Sequence, residues 1–231
     1  MKILPAALIA FCLAIAPAVI AADKDSPYYI DKRTFKKQYK VIALAPIDAD
    51  AALQMPDTVA RMIEEEITAR LQKRGYTVLP SSVLADIRAN MEKQVGGFID
   101  SETGQTDVEK VRAVRRHAFR ELWFRHKMDA VSTMRVQITQ ADVESDRGEW
   151  DGVKQSLERE GRRLNYTAKV AASTVSFAIY DQTDKPLYIA YGGLEMLMKR
   201  VGDGFEQIDP SLYFVDEKRI RKAAQLTVKE I

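Results

Sequence analysis

The chain has 231 residues, with 35 lysines and arginines against 33 aspartates and glutamates, and a single cysteine. Such a length supports one sizeable core without requiring two domains, and the near-balance of charge excludes the basic excess of a dedicated nucleic-acid binder. One cysteine excludes an internal disulfide framework.

Residues 1–22 read as an export signal: Met1-Lys2, an apolar run, and the small-residue ending Ile20-Ala21-Ala22. Cleavage is expected after Ala21 or Ala22. The run is long enough for an uncleaved membrane anchor to be the alternative, but its alanine and proline content and small-residue end favour removal. Cys12 follows Phe11, where a lipoprotein signal has a small residue, so lipidation is not expected. What remains is cysteine-free and near neutral, which suits a bacterial periplasm. No later stretch approaches membrane-spanning length, so no transmembrane segment is expected after cleavage.

Residues 23–38 (DKDSPYYIDKRTFKKQ) are polar and without a period, and are read as an extended lead-in. Tyr28, Tyr29 and Phe35 are expected to lie against the body of the domain; a strand that docks a partner is the sharper alternative. The single domain is placed at 39–231. It is organised around Lys40–Pro80, where Val41–Ala45 is a continuous apolar run suited to a strand buried on both faces. Val59, Ile63, Ile67 and Leu71 follow at helical spacing, with Asp57 as the expected N-cap. Gly75 closes the helix before a second strand, Tyr76–Leu79. Strand, crossover helix, strand is a βαβ unit. Glu64, Glu65 and Glu66 read as a solvated face, with Glu66 and Arg70 in the favourable i,i+4 order.

The next helix carries Leu84, Ile87, Met91 and Val95, with Ser81 or Ser82 as cap, and ends at Gly96-Gly97. The stretch GGFIDSETGQT is a loop, and its Asp100 and Glu102 lack the spacing of a calcium loop. Thr106 and Glu109 fit a capping box ahead of a helix bearing Val108, Val111, Val114, Ala118 and Leu122 on one side. Its other side is basic: Lys110, Arg112, Arg115, Arg116, Arg120, Arg125 and Lys127. Lys110, Arg112, Arg115, Arg116 and Arg120, with Tyr28 and Tyr29, form the candidate interaction surface. An anionic lipid surface met through residues 107–127 is one reading of it.

From Ala130 the period becomes two, with Ala130, Ser132, Met134, Val136 and Ile138 expected on one face. Residues 142–164 are densely charged and are read as an excursion containing a short helix over Val153, Leu157 and Leu164, anchored by Trp150. Tyr166–Tyr180 alternates again, Asp181–Lys185 supplies a turn, and Pro186–Met196 returns, which makes an antiparallel hairpin. Val201–Pro210 reads as a loop, and the chain closes with a helix near Asp216–Val228 packed through Ile220, Ala223, Ala224, Thr227 and Val228. The fold class is therefore α/β: a mixed sheet with an N-terminal βαβ unit, a C-terminal hairpin and helices on the sheet.

Dinucleotide, P-loop, nucleophile-elbow, zinc-protease and C-x-x-C motifs are all absent from the sequence. His117 and His126, the only histidines, are nine apart on one expected helix and point to opposite sides. Neither a cofactor nor a metal is expected. Asp48 and Asp50 follow the first strand at the carboxyl edge where open α/β sheets hold ligands, so an exported hydrolase or ligand-binding enzyme using this pair is the alternative reading.

KVIALAPI, LQKRGYTVLP, DAVSTMRVQI, VSFAIYDQTDKPLYIAYGG and RIRKAAQLTVKEI together resemble a loose group of bacterial envelope accessory domains. The group comprises the amino-terminal domain of the Tol translocation protein B, the curli-secretion channel subunit family and the lipoprotein activators of penicillin-binding proteins. The resemblance implies a mixed sheet flanked by helices and a non-catalytic assembly or docking role in the periplasm, with an envelope protein or cell-wall component as partner. It transfers no functional residue by position.

Overall fold

A computed structural model of the chain describes residues 26–99, 103–157, 159–160 and 166–231. The expected export signal and the acidic residues Asp100 and Glu102 lie outside these residues.

The βαβ unit forms as its apolar spacing requires. Strand β1 (Val41–Leu44) lies between β3 (Thr77–Leu79) and the long β4 (Ala130–Glu144), parallel to both, with Ile42 opposite Val78 on one side and Ala130 on the other. Asp129 clips the start of β1 to β4: its Oδ2 accepts the Lys40 and Val41 N–H groups at 2.7 and 2.8 Å. A two-residue β2 (Asp48–Ala49) also runs parallel to β4. On its other side β4 pairs antiparallel with β8 (Thr167–Tyr180) along their whole length, from Val131 opposite Tyr180 to Glu144 opposite Thr167. Strand β9 (Pro186–Met196) returns antiparallel beside β8. The turn between them is made by Asp181, whose Oδ1 accepts the N–H groups of Thr183 and Lys185. The result is a mixed sheet flanked by helices, the α/β class expected.

Helices α2 (Asp57–Lys73) and α5 (Glu217–Thr227) cover one face of this sheet. Val59, Ile63, Ile67 and Leu71 of α2 and Ile220, Ala223 and Ala224 of α5 join Ile42, Leu44, Met134, Val136, Val175, Phe177 and Ile179 in the main core. On the opposite face α3 (Ser81–Gln94) and α4 (Val108–His126) cover only the end near Ala43 and Val131.

The far end of that face is covered differently from what composition implies. Residues 147–156 form a hairpin, β5 (Arg147–Trp150) and β6 (Val153–Ser156), rather than a short helix. Its turn residues Asp151 and Gly152 both have positive φ (39° and 78°), the backbone that Asp-Gly supplies to a tight hairpin. Strand β5 also pairs with the end of β4, so Asp142–Glu144 belong to the ladder and not to an excursion. Trp150 does anchor the hairpin: it is buried, and its Nε1 donates to the Ser173 carbonyl at 3.0 Å. Leu164 lies outside the described residues. A smaller sheet joins β7 (Arg159–Glu160), β10 (Met198–Val201) and β11 (Gly204–Gln207), so the stretch read as a loop contains a second hairpin.

This division of cover explains a failed alternation in β4. Ile138, expected beside Met134 and Val136, is 42% exposed, because the α2–α5 core ends at Val136. Farther along, Ala141 and Val143, of the opposite parity, are buried with Trp150, Val153 and Val170 under the hairpin.

The lead-in is not wholly extended. Residues 32–38 form helix α1 (Lys32–Gln38), capped by Asp31, which accepts the Thr34 N–H, and its one buried residue is Phe35. Ahead of it, Tyr29 N–H donates to the Leu187 carbonyl and Ile189 N–H to the Pro27 carbonyl, so the segment pairs with β9 of its own sheet. Three expected caps are also replaced. Pro56 precedes α2, with Asp57 in the first turn. Ser81 N–H and Oγ both donate to Glu64, at 2.8 and 2.6 Å, and Pro80 takes the cap position. Asp107, rather than Thr106, caps α4 by accepting the Lys110 N–H. The three glutamates of α2 are accordingly not one solvated face: Glu66 pairs with Arg70 at 2.9 Å and with Arg221 of α5 at 3.8 Å, and only Glu65 is exposed.

Candidate functional site

Between the α3–α4 layer and the β5–β6 hairpin, the sheet face is left open as a groove of about 520 Å³. Its floor is the middle of the ladder: Thr133, Arg135 and Gln137 of β4, Ser176 and Ala178 of β8, and Ile189 and Tyr191 of β9. These come together through register alone, since Thr133 pairs with Ala178, Arg135 with Ser176, and Ser176 with Tyr191. Arg115 and Phe119 of α4 and Arg88 of α3 form one wall, and Ala45, Pro46 and Asp48 form another edge. Tyr191 is 48% exposed, a large aromatic surface that continues the apolar strip of Ala178 and Ile189 beside the polar Thr133, Gln137 and Ser176. Burial pushes the Tyr180 and Tyr191 phenols above the usual tyrosine range.

The carboxylate pair singled out in the sequence lies at this groove and is held by one guanidinium. Arg135 Nη2 is 2.5 Å from Asp50 Oδ1, and its Nη1 is 3.8 Å from Asp48 Oδ2. Asp50 Oδ2 accepts the Ile138 N–H at 2.8 Å, and Asp50 N–H donates to the Val136 carbonyl. Asp50 is thereby a clip that holds the β1–α2 connection to β4. An acid–base pair needs one carboxyl free to gain and lose a proton at the substrate. Here both share a cation, and only Asp48 is exposed.

The basic face of α4 is divided by its partners. Lys110 pairs with Asp107 at 3.7 Å, Arg112 with Glu109 at 2.7 Å, and Arg115 with Asp184 of the β8–β9 turn at 3.2 Å. Arg115 also lies over the Phe119 ring, 5.3 Å from its centroid, at the groove wall. Arg116 and Arg120 are exposed and have no carboxylate partner among the described residues. Tyr28 does not belong to an open surface. It is 8% exposed, and its hydroxyl donates to the Glu230 carbonyl at 2.8 Å. Tyr29 is half-buried beside it.

Of the residues named from sequence, the groove therefore brings together Asp48 and Arg115, with Asp50 behind them through Arg135. It leaves Arg116 and Arg120 on the outside of α4 and Tyr28 in the core. Arg88, Phe119, Arg135 and Tyr191 carry no signal of a site in the sequence. Each is ordinary in its own element, and only the pairing of β4, β8 and β9 places them side by side. A larger concavity, about 830 Å³, lies at the base of the β5 hairpin, where Lys154 pairs with Glu149 and Lys169 with Asp142. Among the described residues no group of three or more histidines, cysteines or carboxylates could hold a metal, and no helix is long and apolar enough to cross a membrane.

No protein-family model matches the chain, and no curated protein does. Among solved structures it is similar to a neuraminyllactose-binding hemagglutinin homolog from Helicobacter pylori, at 11% identity and a TM-score of 0.32, over 82% of this chain and 78% of the other. At that level of likeness neither architecture nor activity transfers.

Proposed function

We propose that this is a non-catalytic, exported protein of the cell envelope whose open sheet face docks an extended segment of another envelope protein. The observation that carries the reading is the groove itself. A sheet floor offers hydroxyl and amide groups from Thr133, Gln137 and Ser176 beside the exposed Tyr191 ring, with Arg88 at the wall lacking a carboxylate partner among the described residues. Aromatic and arginine side chains on one concave surface are what partner segments anchor on. The leader-like residues 1–22 support an envelope location. The hydrolase alternative is disfavoured by the shared cation on Asp48 and Asp50, and the lipid-surface alternative by the carboxylates that neutralise Lys110, Arg112 and Arg115.

A photo-crosslinking residue at position 191, compared with one at the 71%-exposed Phe124, tests this in the native organism. The expected outcome is one defined envelope-protein adduct at 191, missing at 124 and lost when Arg88→Glu is added. The same adducts at both positions, or insensitivity to Arg88→Glu, would overturn it. Co-sedimentation with purified cell-wall sacculi in place of a protein adduct would reassign the partner to the cell wall.

A further inference from the structure

A third concavity, independent of the groove, lies farther along β9, between the chain that follows it and the start of α5. It measures about 210 Å³. Its walls are Met196, Met198 and Ile208, and Leu212 and Val215 stand at its mouth, 57% and 70% exposed. One wall carries Glu195, a carboxylate with only 7% of its surface exposed. Its Oε1 accepts the Phe214 N–H at 2.9 Å, while its Oε2 has no partner among the described residues. Phe214 has φ +61°, a left-handed backbone unusual for a side chain of that size, so a strained turn fixes the carboxylate in place.

The two other charged groups at this cavity satisfy each other. Asp216 caps α5 through its Oδ1, and its Oδ2 lies 3.2 Å from Arg219 Nε, which leaves Glu195 without a cation in contact. Burial raises the Glu195 carboxyl, the Phe214 N–H and Arg219 opposing that rise and Asp216 adding to it. A buried carboxylate whose second oxygen is open calls for a donor that brings positive charge. The surrounding thioethers and methylenes suit an aliphatic stem behind that donor.

We propose that this cavity takes a primary alkylammonium group, the nitrogen on Glu195 Oε2 and the methylene stem against Met196, Met198 and Ile208. The group can come from a free diamine or from a lysine side chain, and the test separates them. The intact chain is titrated with 1,5-diaminopentane, with Nα-acetyl-lysine amide and with 1-pentanol, following the Phe214 amide and the Met196 and Met198 methyl resonances. A saturable shift with either amine and none with pentanol is expected, the responding amine naming the source. Glu195→Gln should weaken binding roughly tenfold or more, the loss of one charge-assisted hydrogen bond. No saturable shift with either amine, or equal affinity in the variant, would overturn the site. In the unsubstituted chain, saturating amine should also lower the midpoint of the Glu195 carboxyl resonance; an unmoved midpoint counts against it whether or not the variant folds.

Discussion

Gly192 and Gly193 are adjacent residues that face opposite layers of the molecule. A β-carbon on Gly192 would stand 2.1 Å from the Ala223 carbonyl oxygen of α5, and one on Gly193 would stand 2.2 Å from Val153 Cγ2 and 2.8 Å from Trp150 Nε1. Neither distance can exist, so one layer or the other must move. The helix contact is backbone and anchored along the whole core, whereas the hairpin contact is mostly side chain. Gly192→Ala should therefore destabilise the protein by about 3 kcal/mol or more, and Gly193→Ala by about 1–3 kcal/mol, as read from urea midpoints. If Gly193→Ala proved the costlier of the two, the assignment of α5 as the rigid layer would be wrong. Two glycines together are visible in the sequence, inside the expected strand Pro186–Met196, but nothing there says what stands over each. What stands over each is set by α5 and by β6, which are 31 and 40 residues away from the respective glycines (Ala223 and Val153).

Elements were legible where one face carries a repeated apolar side chain. Val59, Ile63, Ile67 and Leu71 announce α2 because every one of them is buried. Helix α1 has seven residues and buries only Phe35, so it leaves no period to read. Its anchor is nonetheless central: Phe35 is fully buried, with ring centroids 5.5 Å from Tyr28, 5.7 Å from Tyr39 and 6.4 Å from Tyr188. Phe35→Ala should cost about 3–5 kcal/mol, whereas Lys36→Ala, on the exposed side, should stay within about 0.5 kcal/mol, both by chemical denaturation. Equal small effects would show that α1 is not part of the cooperative core. The β5–β6 hairpin is hidden for another reason: Asp151-Gly152 is a strong turn signal, but the charged residues on both sides of it obscure the strand alternation. The groove was not legible at all, because it belongs to four strands and two helices and to none of them separately.

At the scale of the whole molecule, residues from both ends of the described chain meet at one aromatic cluster. Tyr28 donates to the Glu230 carbonyl and Tyr188 to the Thr227 carbonyl, each at 2.8 Å, and Arg74 Nη2 donates to the Lys229 carbonyl at 2.9 Å. Burial raises both phenols well above the ordinary tyrosine range. Below about pH 10 both phenols are neutral whether the chain is folded or not, and this contribution to stability is complete. Above it the unfolded chain ionises while the folded one resists, so stability falls as pH rises. Urea midpoints should drop progressively as pH rises above about 10, and Tyr28→Phe with Tyr188→Phe should lessen the drop. A drop of unchanged size in the double variant would place the alkaline sensitivity elsewhere.

The switch of cover along β4 has a consequence for how the chain finds its pairing. Even-numbered side chains of that strand serve one core as far as Val136, and odd-numbered ones serve another from Ala141 onward. Sliding β4 by a single position against β8 would turn both sets outward together. Misaligned pairings are thus penalised twice over, at two distant places, and the longest ladder in the molecule proofreads its own alignment.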